Sequence, residues 1–296
     1  MNLLVARDVQ LLLLMKIVVP QVPPIGEMLG SQELMKRSFF IILIISYHFF
    51  WKSSTDSVLS EKYVMKREKL YNNGFPVWKN ANKTIVDIAP SRFSYKMKTY
   101  AEETVLFADS WEMRFSCCSS GPNGKACTVS ESHVTNTAFL SDLERFVETP
   151  APLSPSDSRS CKVYALDCEM VYTRRGLSLA RIILVNCKGE TVLDIIVKPE
   201  SPVMDYNTRF SGLTKNLVDT TIYDFKQARE RFLEFVNSET ILIGHSLASD
   251  LKALRIVHHK IVDTSDVFPH ERGPPYKRSL KNIFSDIFQV KIQKNG

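Results

Sequence analysis

The pattern of hydrophobic positions changes near residue 160. Beyond this point, apolar runs bounded by turn residues predict strands over residues 162–171, 179–186 and 191–197. Residues 186–189 read Asn-Cys-Lys-Gly, which is a turn signal. The second and third strands are therefore predicted to pair as a hairpin.

Helical and strand patterns alternate through the rest of the chain. Helices are predicted over 221–236, after Ser246 and after Ser279, with short buried strands over 240–244 and 260–263. The predicted caps and apolar faces are Thr221 and Asp224 with Phe225, Ala228, Phe232 and Phe235; Ser246 with Leu247, Leu251 and Leu254; and Ser279 with Leu280, Ile283, Phe284, Ile287 and Phe288. The order βββαβαβα predicts an α/β domain with a mixed sheet.

Upstream of this domain, composition divides the chain into three regions. Residues 1–60 are apolar and poorly defined, 61–148 mix aromatic residues with cysteines, and 149–160 form a Pro/Ser-rich linker or boundary loop ahead of the domain at 161–296. The most apolar run, 39–51, is shorter than the roughly 18–20 residues that span a bilayer. It is either a signal-anchor remnant that would associate with a membrane or a buried, aggregation-prone segment.

Composition and charge narrow the function classes only slightly. Apolar residues make up 44% of the chain and charged residues 24%, which excludes wholesale disorder and a collagen-like fibre. The formal net charge of +6 permits a polyanionic partner without requiring one. The six cysteines do not form a dense disulfide scaffold, which favours a reducing compartment.

Three carboxylates carry the strongest chemical signal. Asp167 and Glu169 lie two residues apart in a predicted strand, so both side chains project from one face. Asp250 falls in the first turns of a helix that directly follows a buried strand. Together they would bind Mg²⁺ or Mn²⁺, which suits two-metal phosphoryl chemistry. The alternative is that the first two lie at a frayed strand end and that Asp250 only stabilises the helix N-terminus.

Several motifs resemble one family in order and spacing. They are VYALDCEMVYT, DYNTRFSGLT, ILIGHSLASDLKAL, IVDTSDVFPH and PYKRSLKNI, and they are similar to the RNA-exonuclease-1 type, including the GOR-like members, of the DEDDh 3′→5′ exonucleases. The resemblance covers residues 162–293. It implies a ribonuclease-H-like fold, two Mg²⁺ or Mn²⁺ ions, removal of nucleotides from single-stranded RNA 3′ ends, and a nuclear location. The sequence leaves open whether DNA is also a substrate.

The resemblance also assigns roles to individual residues. Asp167 would bridge both metal ions, and Glu169 and Asp250 would help to hold one ion each. Met170 would lie beside the terminal nucleotide. Phe210 and Leu213 would form an apolar wedge at the terminal bases, or they are ordinary core residues. Lys277 and Arg278 would contact phosphates, or they are a solvated helix start. His245 would be a structural residue near the site.

The sequence departs from the family after the last predicted helix. The family has a third motif there, with a histidine general base, a fourth aspartate and a final helix. After Asp266, the only histidine is His270 and the only acidic residues are Glu271 and Asp286, none of them in that context. Because loss of a general base lowers a rate by about 10²–10⁴, the alternative to an active exoribonuclease is a truncated fragment or an inactive nucleic-acid-binding pseudo-exonuclease.

The cysteine cluster departs from the family as well. The segment 111–134 resembles the cysteine-containing region that precedes the nuclease domain in animal members. Cys117, Cys118, Cys127 and His133 are ligand types that zinc accepts, but their spacing is not that of a standard finger. Buried free thiols are the alternative.

Overall fold

The computed structural model describes residues 63–88, 104–107, 110–115, 140–187, 189–273 and 276–288. Its strands are β1 (Val77–Trp78), β2 (Val86–Asp87), β3 (Thr104–Phe107), β4 (Ser110–Phe115), β5 (Val147–Glu148), β6 (Val163–Thr173), β7 (Gly176–Asn186), β8 (Thr191–Lys198), β9 (Val203–Asp205), β10 (Tyr223–Asp224), β11 (Ile241–Gly244), β12 (Ile256–Val257) and β13 (Ile261–Asp263). Its helices are α1 (Arg67–Asn72), α2 (Leu140–Leu143), α3 (Thr208–Ser211), α4 (Lys215–Asp219), α5 (Phe225–Phe235), α6 (Ala248–Leu254), α7 (Thr264–Val267) and α8 (Leu280–Phe288), with a 3₁₀ turn at Ser158–Cys161.

A mixed sheet forms the centre of the described fold. Its strand order is β10-β8-β7-β6-β11-β13, and β9 also pairs with β6. The strand β7 pairs antiparallel with both β6 and β8. The strand β11 pairs in parallel with both β6 and β13. The predicted mixed α/β sheet and the β7–β8 hairpin are therefore confirmed.

Both faces of the sheet are covered. On one face, Leu166 and Cys168 of β6 belong to an apolar cluster with Phe232 of α5 and Leu251 of α6. On the other face, Ala165 of β6 packs in a cluster with residues of β7, β11 and β13, and α8 contributes to its edge. Successive residues of β6 thus enter different cores, as the alternation of a strand requires.

Two predicted helix caps are corrected by the structure. The capping box of α5 is formed by Asp224 and Gln227, and not by Thr221 and Asp224. The side chain of Ser246 does not cap α6, whose N-cap position is occupied by Leu247 without a side-chain hydrogen bond. The prediction for Ser279 is confirmed, because its hydroxyl accepts a hydrogen bond from the Asn282 backbone N–H at 3.2 Å.

The boundary segment 149–160 is anchored to the domain. The Thr149 backbone N–H donates to Val257 O at 3.1 Å, and the Thr149 hydroxyl lies 3.0 Å from His258 Nδ1. His258 Nε2 lies 2.9 Å from Thr240 O, which requires a proton on Nε2 and leaves Nδ1 to accept from the Thr149 hydroxyl. Within the described residues, no helix has the length and apolar character needed to cross a bilayer. The run 39–51 lies outside them.

Candidate active site

The strand β6 places two carboxylates on one face of the sheet. In the antiparallel pairing with β7, Asp167 is opposite Ile183 and Glu169 is opposite Arg181. Both acidic residues are half-buried in the middle of an 11-residue strand. They therefore do not lie at a frayed strand end.

Asp250 reaches the same place from α6. It is buried, and its Oδ1 accepts a hydrogen bond of 2.8 Å from the backbone N–H of Cys168. Because Cys168 separates Asp167 from Glu169 in the chain, this bond ties the helix to the segment that carries the other two acids. The three predicted carboxylates are brought together from two elements.

The pKa values of all three carboxyl groups are raised. Burial raises the pKa of Asp167 to about 6, against the opposing effect of the Arg181 guanidinium. Burial, together with the negative charge of Asp167, raises the pKa of Glu169 to about 8. The pKa of Asp250 is also raised far above its ordinary value, by burial first and by Asp167 second. Burial and mutual repulsion therefore disfavour ionisation of all three acids at once, and a bound cation would offset that cost.

Arg181 is a site residue that the sequence analysis missed. It faces Glu169 across the β6–β7 pair, and it is held by two hydrogen bonds of 2.8 Å to the carboxylate of Asp194 on β8. Its charge lowers the pKa of both Asp167 and Glu169. No local pattern signals this role, because it depends on the register of two strand pairs.

The donor set has the right chemistry for a hard divalent cation. Carboxylate oxygens are the ligands that Mg²⁺ and Mn²⁺ prefer, and buried carboxylates with raised pKa values gain most from such an ion. In the described part of the chain, no group of three or more His, Cys, Asp or Glu side chains is already spaced to hold a metal ion. The side chains of Asp167, Glu169 and Asp250 are nevertheless of the ligand type that the ion prefers. Binding of the ion would draw these three carboxylates together, because it would cancel the repulsion between them.

The start of α6 is fixed by Asp263 at the end of β13. Its carboxylate accepts hydrogen bonds from the backbone N–H groups of Ser246 at 2.9 Å and Leu247 at 3.2 Å. Ser246 has a φ of 58°, in the left-handed region, so the turn into the helix is a strained one. These bonds hold the turn and, through it, the position of Asp250.

Gly244 allows the strand before this turn to lie close to β6. A Cβ atom at Gly244 would lie 2.9 Å from the backbone oxygen of Leu166 and 2.5 Å from side-chain atoms of Leu247. Cβ atoms in real proteins essentially never make contacts this short, so a side chain at position 244 would force these atoms to move. The adjacent His245 has its Nδ1 2.9 Å from the Thr264 hydroxyl, a contact that agrees with a structural role.

The predicted substrate-binding residues have different surroundings. Met170 is half-buried and lines a cavity of about 200 Å³. Phe210 is 69% exposed on α3, whereas Leu213 is fully buried in a core cluster with Val171 and Val218. Leu213 therefore takes the ordinary core role, and Phe210 alone of this pair presents an apolar surface.

The predicted phosphate contacts flank the start of α8. Lys277 is exposed and close enough to His245 and Lys252 to lower the pKa of each, after the larger effect of burial in both cases. Arg278 forms an ion pair with Asp286. The structure thus brings Lys277 near the carboxylate site and pairs Arg278, which precedes α8, with an aspartate of that helix.

The predicted zinc ligands Cys117, Cys118, Cys127 and His133 lie outside the described residues. Cys161, Cys168 and Cys187, which the structure describes, form no disulfide bond. The zinc assignment stays a prediction.

Comparisons with known proteins match the chain to exonucleases. Residues 164–269 match the family model for exonucleases, RNase_T. The chain is 43% identical over 189 residues to human RNA exonuclease 1 homolog, with 64% of this chain and 15% of that protein covered. It is 42% identical over 180 residues to exonuclease GOR of Pan troglodytes, with 61% of this chain and 26% of that protein covered.

Among solved structures, the chain matches the Pan2 catalytic unit of Neurospora crassa, which comprises protease and nuclease domains. It is 23% identical with a TM-score of 0.42, covering 50% of this chain and 26% of that chain. The chain spans about a quarter or less of the length of the curated RNA exonuclease 1 and GOR relatives. Residues 164–269, which match the exonuclease family model, are the exonuclease domain of the chain, and the chain is similar in sequence to the RNA exonuclease 1 and GOR proteins.

Proposed function

We propose that this chain is a metal-dependent 3′→5′ exoribonuclease that trims single-stranded RNA by phosphodiester hydrolysis. The observation that carries the proposal is the convergence of Asp167, Glu169 and Asp250, in which one buried and two half-buried carboxylates lie close together beside the guanidinium of Arg181. Exonuclease domains of this family generally depend on divalent metal ions. The names of the RNA exonuclease relatives support RNA as the substrate.

The reaction would transfer the terminal nucleotidyl group to water and release a nucleoside 5′-monophosphate. A new bond forms between the water oxygen and phosphorus, the bond from phosphorus to the 3′ oxygen of the preceding nucleotide breaks, and that oxygen takes up a proton. Bound Mg²⁺ or Mn²⁺ would supply an activated water and stabilise the leaving oxygen. Asp167, Glu169 and Asp250 would hold the ions, Met170 and Phe210 would contact the terminal nucleotides, and Lys277 would attract phosphate.

The direct test is release of mononucleotides from single-stranded RNA. An RNA labelled at its 5′ end is incubated with the full chain and Mg²⁺ or Mn²⁺, and the products are resolved on a sequencing gel. A ladder that shortens one nucleotide at a time from the 3′ end is expected. The Asp167→Ala protein, prepared identically, reports contaminating nuclease. An unchanged RNA at high protein concentration with either metal would contradict the proposal, and a parallel single-stranded DNA tests the wider substrate range.

A second candidate is an inactive nucleic-acid-binding module. The observation in its favour is that each histidine in the described ranges has a partner other than the three acids: His245 lies near Thr264, His258 between Thr149 and Thr240, His259 beside Glu148 and His270 beside Tyr276. This candidate predicts salt-sensitive RNA binding without cleavage. The nuclear location implied by the family resemblance stays a prediction for either function.

A further inference from the structure

The segment between α7 and α8 carries an exposed aromatic ring. Tyr276 is 47% exposed. The Arg272 guanidinium lies over its ring, 5.6 Å from the centroid, and the centroid of the His270 ring lies 5.6 Å from that of Tyr276 at an interplanar angle of 37°. Because the guanidinium is close to the roughly 6 Å limit of a cation–π contact, the tyrosine ring is not tightly covered. An imidazole, a phenol and a guanidinium therefore meet at one exposed surface.

Two successive turns hold the backbone at this surface. The Gly273 backbone N–H donates to His270 O at 2.8 Å, and the Tyr276 backbone N–H donates to Gly273 O at 3.1 Å. The Arg272 backbone N–H donates to His270 Nδ1 at 3.1 Å. Gly273 has a φ of 65°, which glycine adopts without strain. The planar groups are thus positioned by the backbone, which lowers the entropy lost when a ligand binds.

The same segment carries an excess of positive charge. Residues 268–279 contain one acidic residue, Glu271, and three cations, Arg272, Lys277 and Arg278. Arg278 is already in an ion pair with an aspartate of α8. Arg272 and Lys277 are exposed, and neither forms an ion pair with the residues that the structure describes. An exposed ring between two such cations fits a ligand that has both a flat face and a negative charge, as each nucleotide of a single strand has.

This segment leads onto the face of the sheet that carries the acids. Alternate side chains of β6, including those of Ala165 and Asp167, project from one face. On that face, Ala165 and Ile183, the residue opposite Asp167, belong to the core cluster against which Leu280 of α8 packs. Tyr276 lies four residues before Leu280, so the chain between them spans at most about 14 Å. Tyr276 is therefore close to one end of the carboxylate site.

The residue proposed to contact the terminal nucleotides lies toward the other end of that face. Val171, two residues after Glu169 on β6, packs in a cluster with Leu213. Phe210, on the short helix α3, comes three residues before Leu213. The acids of β6 thus lie between Phe210 at one end and the segment of Tyr276 at the other. A strand whose 3′-terminal bases contact Phe210 would leave the site past Tyr276.

We propose that residues 270–277 form a stacking site for a base of the single-stranded RNA on the 5′ side of the scissile bond. Tyr276 would supply the stacking ring, and Arg272 and Lys277 would contact the adjacent phosphates. Every base has a flat face, so this site would raise affinity for RNA without selecting a sequence. The inference rests on the proposed function, because it takes the RNA terminus to lie at the carboxylates.

The test measures RNA binding separately from cleavage. The full chain carrying Asp167→Ala is titrated against a ten-nucleotide single-stranded RNA with fluorescein at its 5′ end, and anisotropy is recorded at several salt concentrations. In this parent, Tyr276→Ala removes the ring, Tyr276→Phe keeps it, and Arg272→Gln removes one charge. Leu153→Ala, at a position 87% exposed in the boundary segment, is the control for loss of an exposed apolar side chain.

Tyr276→Ala is expected to weaken binding by about tenfold, with an unchanged salt slope, as loss of one base–aromatic stack does. Tyr276→Phe and Leu153→Ala are expected to bind like the parent. Arg272→Gln is expected to weaken binding and to reduce the salt slope by about one, as loss of one phosphate contact does.

RNAs with a single abasic ribose at successive positions locate the stacked base. The parent is expected to lose about tenfold in affinity at one position on the 5′ side of the last linkage, and Tyr276→Ala is expected to lose nothing further there. Equal binding by Tyr276→Ala and the parent, or identical abasic profiles for the two, would overturn the stacking site and leave the proposed nuclease function standing. Weaker binding by Tyr276→Ala that Tyr276→Phe restores, combined with no cleavage by the wild-type chain, would support the stacking site and reject the nuclease function.

Discussion

At the scale of single residues, Asp250 shows how one hydrogen bond organises the candidate site. Its carboxylate is buried, and the Cys168 N–H that it accepts at 2.8 Å belongs to the strand of the other acids. An asparagine could accept the same bond without bringing a charge into a buried site. The structural and chemical contributions of this position can therefore be separated.

Asp250→Asn is expected to keep or increase thermal stability in metal-free buffer, because it replaces a buried carboxyl group, whose ionisation the fold disfavours, with a neutral amide. Nuclease activity with Mg²⁺ is expected to fall by more than the roughly 10–100-fold loss seen when a second-shell partner of a metal is removed. Thermal melting and initial rates measure the two effects. A variant with wild-type activity would contradict the role of Asp250.

The raised pKa values of Asp167 and Glu169 predict a link between pH and metal binding. Without metal, their contribution to stability is present at low pH and is lost as the pH rises through about 6 and about 8. A divalent cation that binds the charged forms is therefore expected to stabilise the fold more at pH 8 than at pH 5. At a concentration 100 times its Kd, the gain is about 2.7 kcal/mol.

Thermal shifts with Mn²⁺ at the two pH values measure this link. Asp167→Asn is expected to lose the metal-dependent shift, whereas Glu230→Gln, a change at an exposed position of α5, is expected to keep it. A shift that is equal at pH 5 and pH 8, or unaffected by Asp167→Asn, would contradict the assignment.

At the scale of elements, the sequence predicted the central strands and helices closely. The predicted strand 162–171 is observed as β6 at Val163–Thr173, because an apolar run can be recognised locally. The caps at Thr221 and Ser246 were predicted wrongly. The turn into α6 is held by Asp263, which lies 17 residues after Ser246, and short-range cap patterns do not reveal such a bond.

His258 connects the boundary segment to the domain and carries a pH-dependent term. Burial lowers its pKa to about 4, so the unfolded chain gains a proton before the folded chain does. The contribution of neutral His258 to the free energy of unfolding is fully present above pH 6.5 and is lost as the pH falls toward 4. The total loss is about 3 kcal/mol, because each unit of pKa shift corresponds to roughly 1.4 kcal/mol.

Urea unfolding of the wild type and His258→Leu between pH 4 and pH 7 isolates this term as a difference between the two curves. The wild type is expected to lose more stability than the variant on acidification. His270→Leu, in the loop after α7, serves as the histidine control and is expected to follow the wild-type slope. Parallel curves for His258→Leu and the wild type would contradict the prediction.

At the scale of the whole molecule, the upstream region and the exonuclease domain share one core. Met65, Leu70 and Phe75 are buried in the same apolar cluster as Leu166 and Phe232 of the domain. The sequence analysis placed these upstream residues in a separate region, because the segment is polar and turn-rich and shows no regular apolar period. Packing across such a distance in the chain leaves no local signal.

Phe75→Ala is therefore expected to destabilise the whole fold by about 3–5 kcal/mol, as removal of a fully buried phenylalanine does. Circular dichroism and tryptophan fluorescence are expected to report one coincident unfolding transition. Leu153→Ala, at a position 87% exposed, is expected to change stability by no more than about 0.5 kcal/mol. Two separate transitions would show that the upstream region folds independently.

The close approach of strands at Gly244 has a consequence for genetics. A single methyl group there would press on the Leu166 oxygen, one residue before Asp167, and on the Leu247 side chain, three residues before Asp250. A saturation screen for inactive alleles would consequently score position 244 as severely as the acids themselves, although glycine takes no part in any reaction. Alleles at that position would report the spacing between backbone segments, and a rescue screen should look for a smaller side chain at position 247.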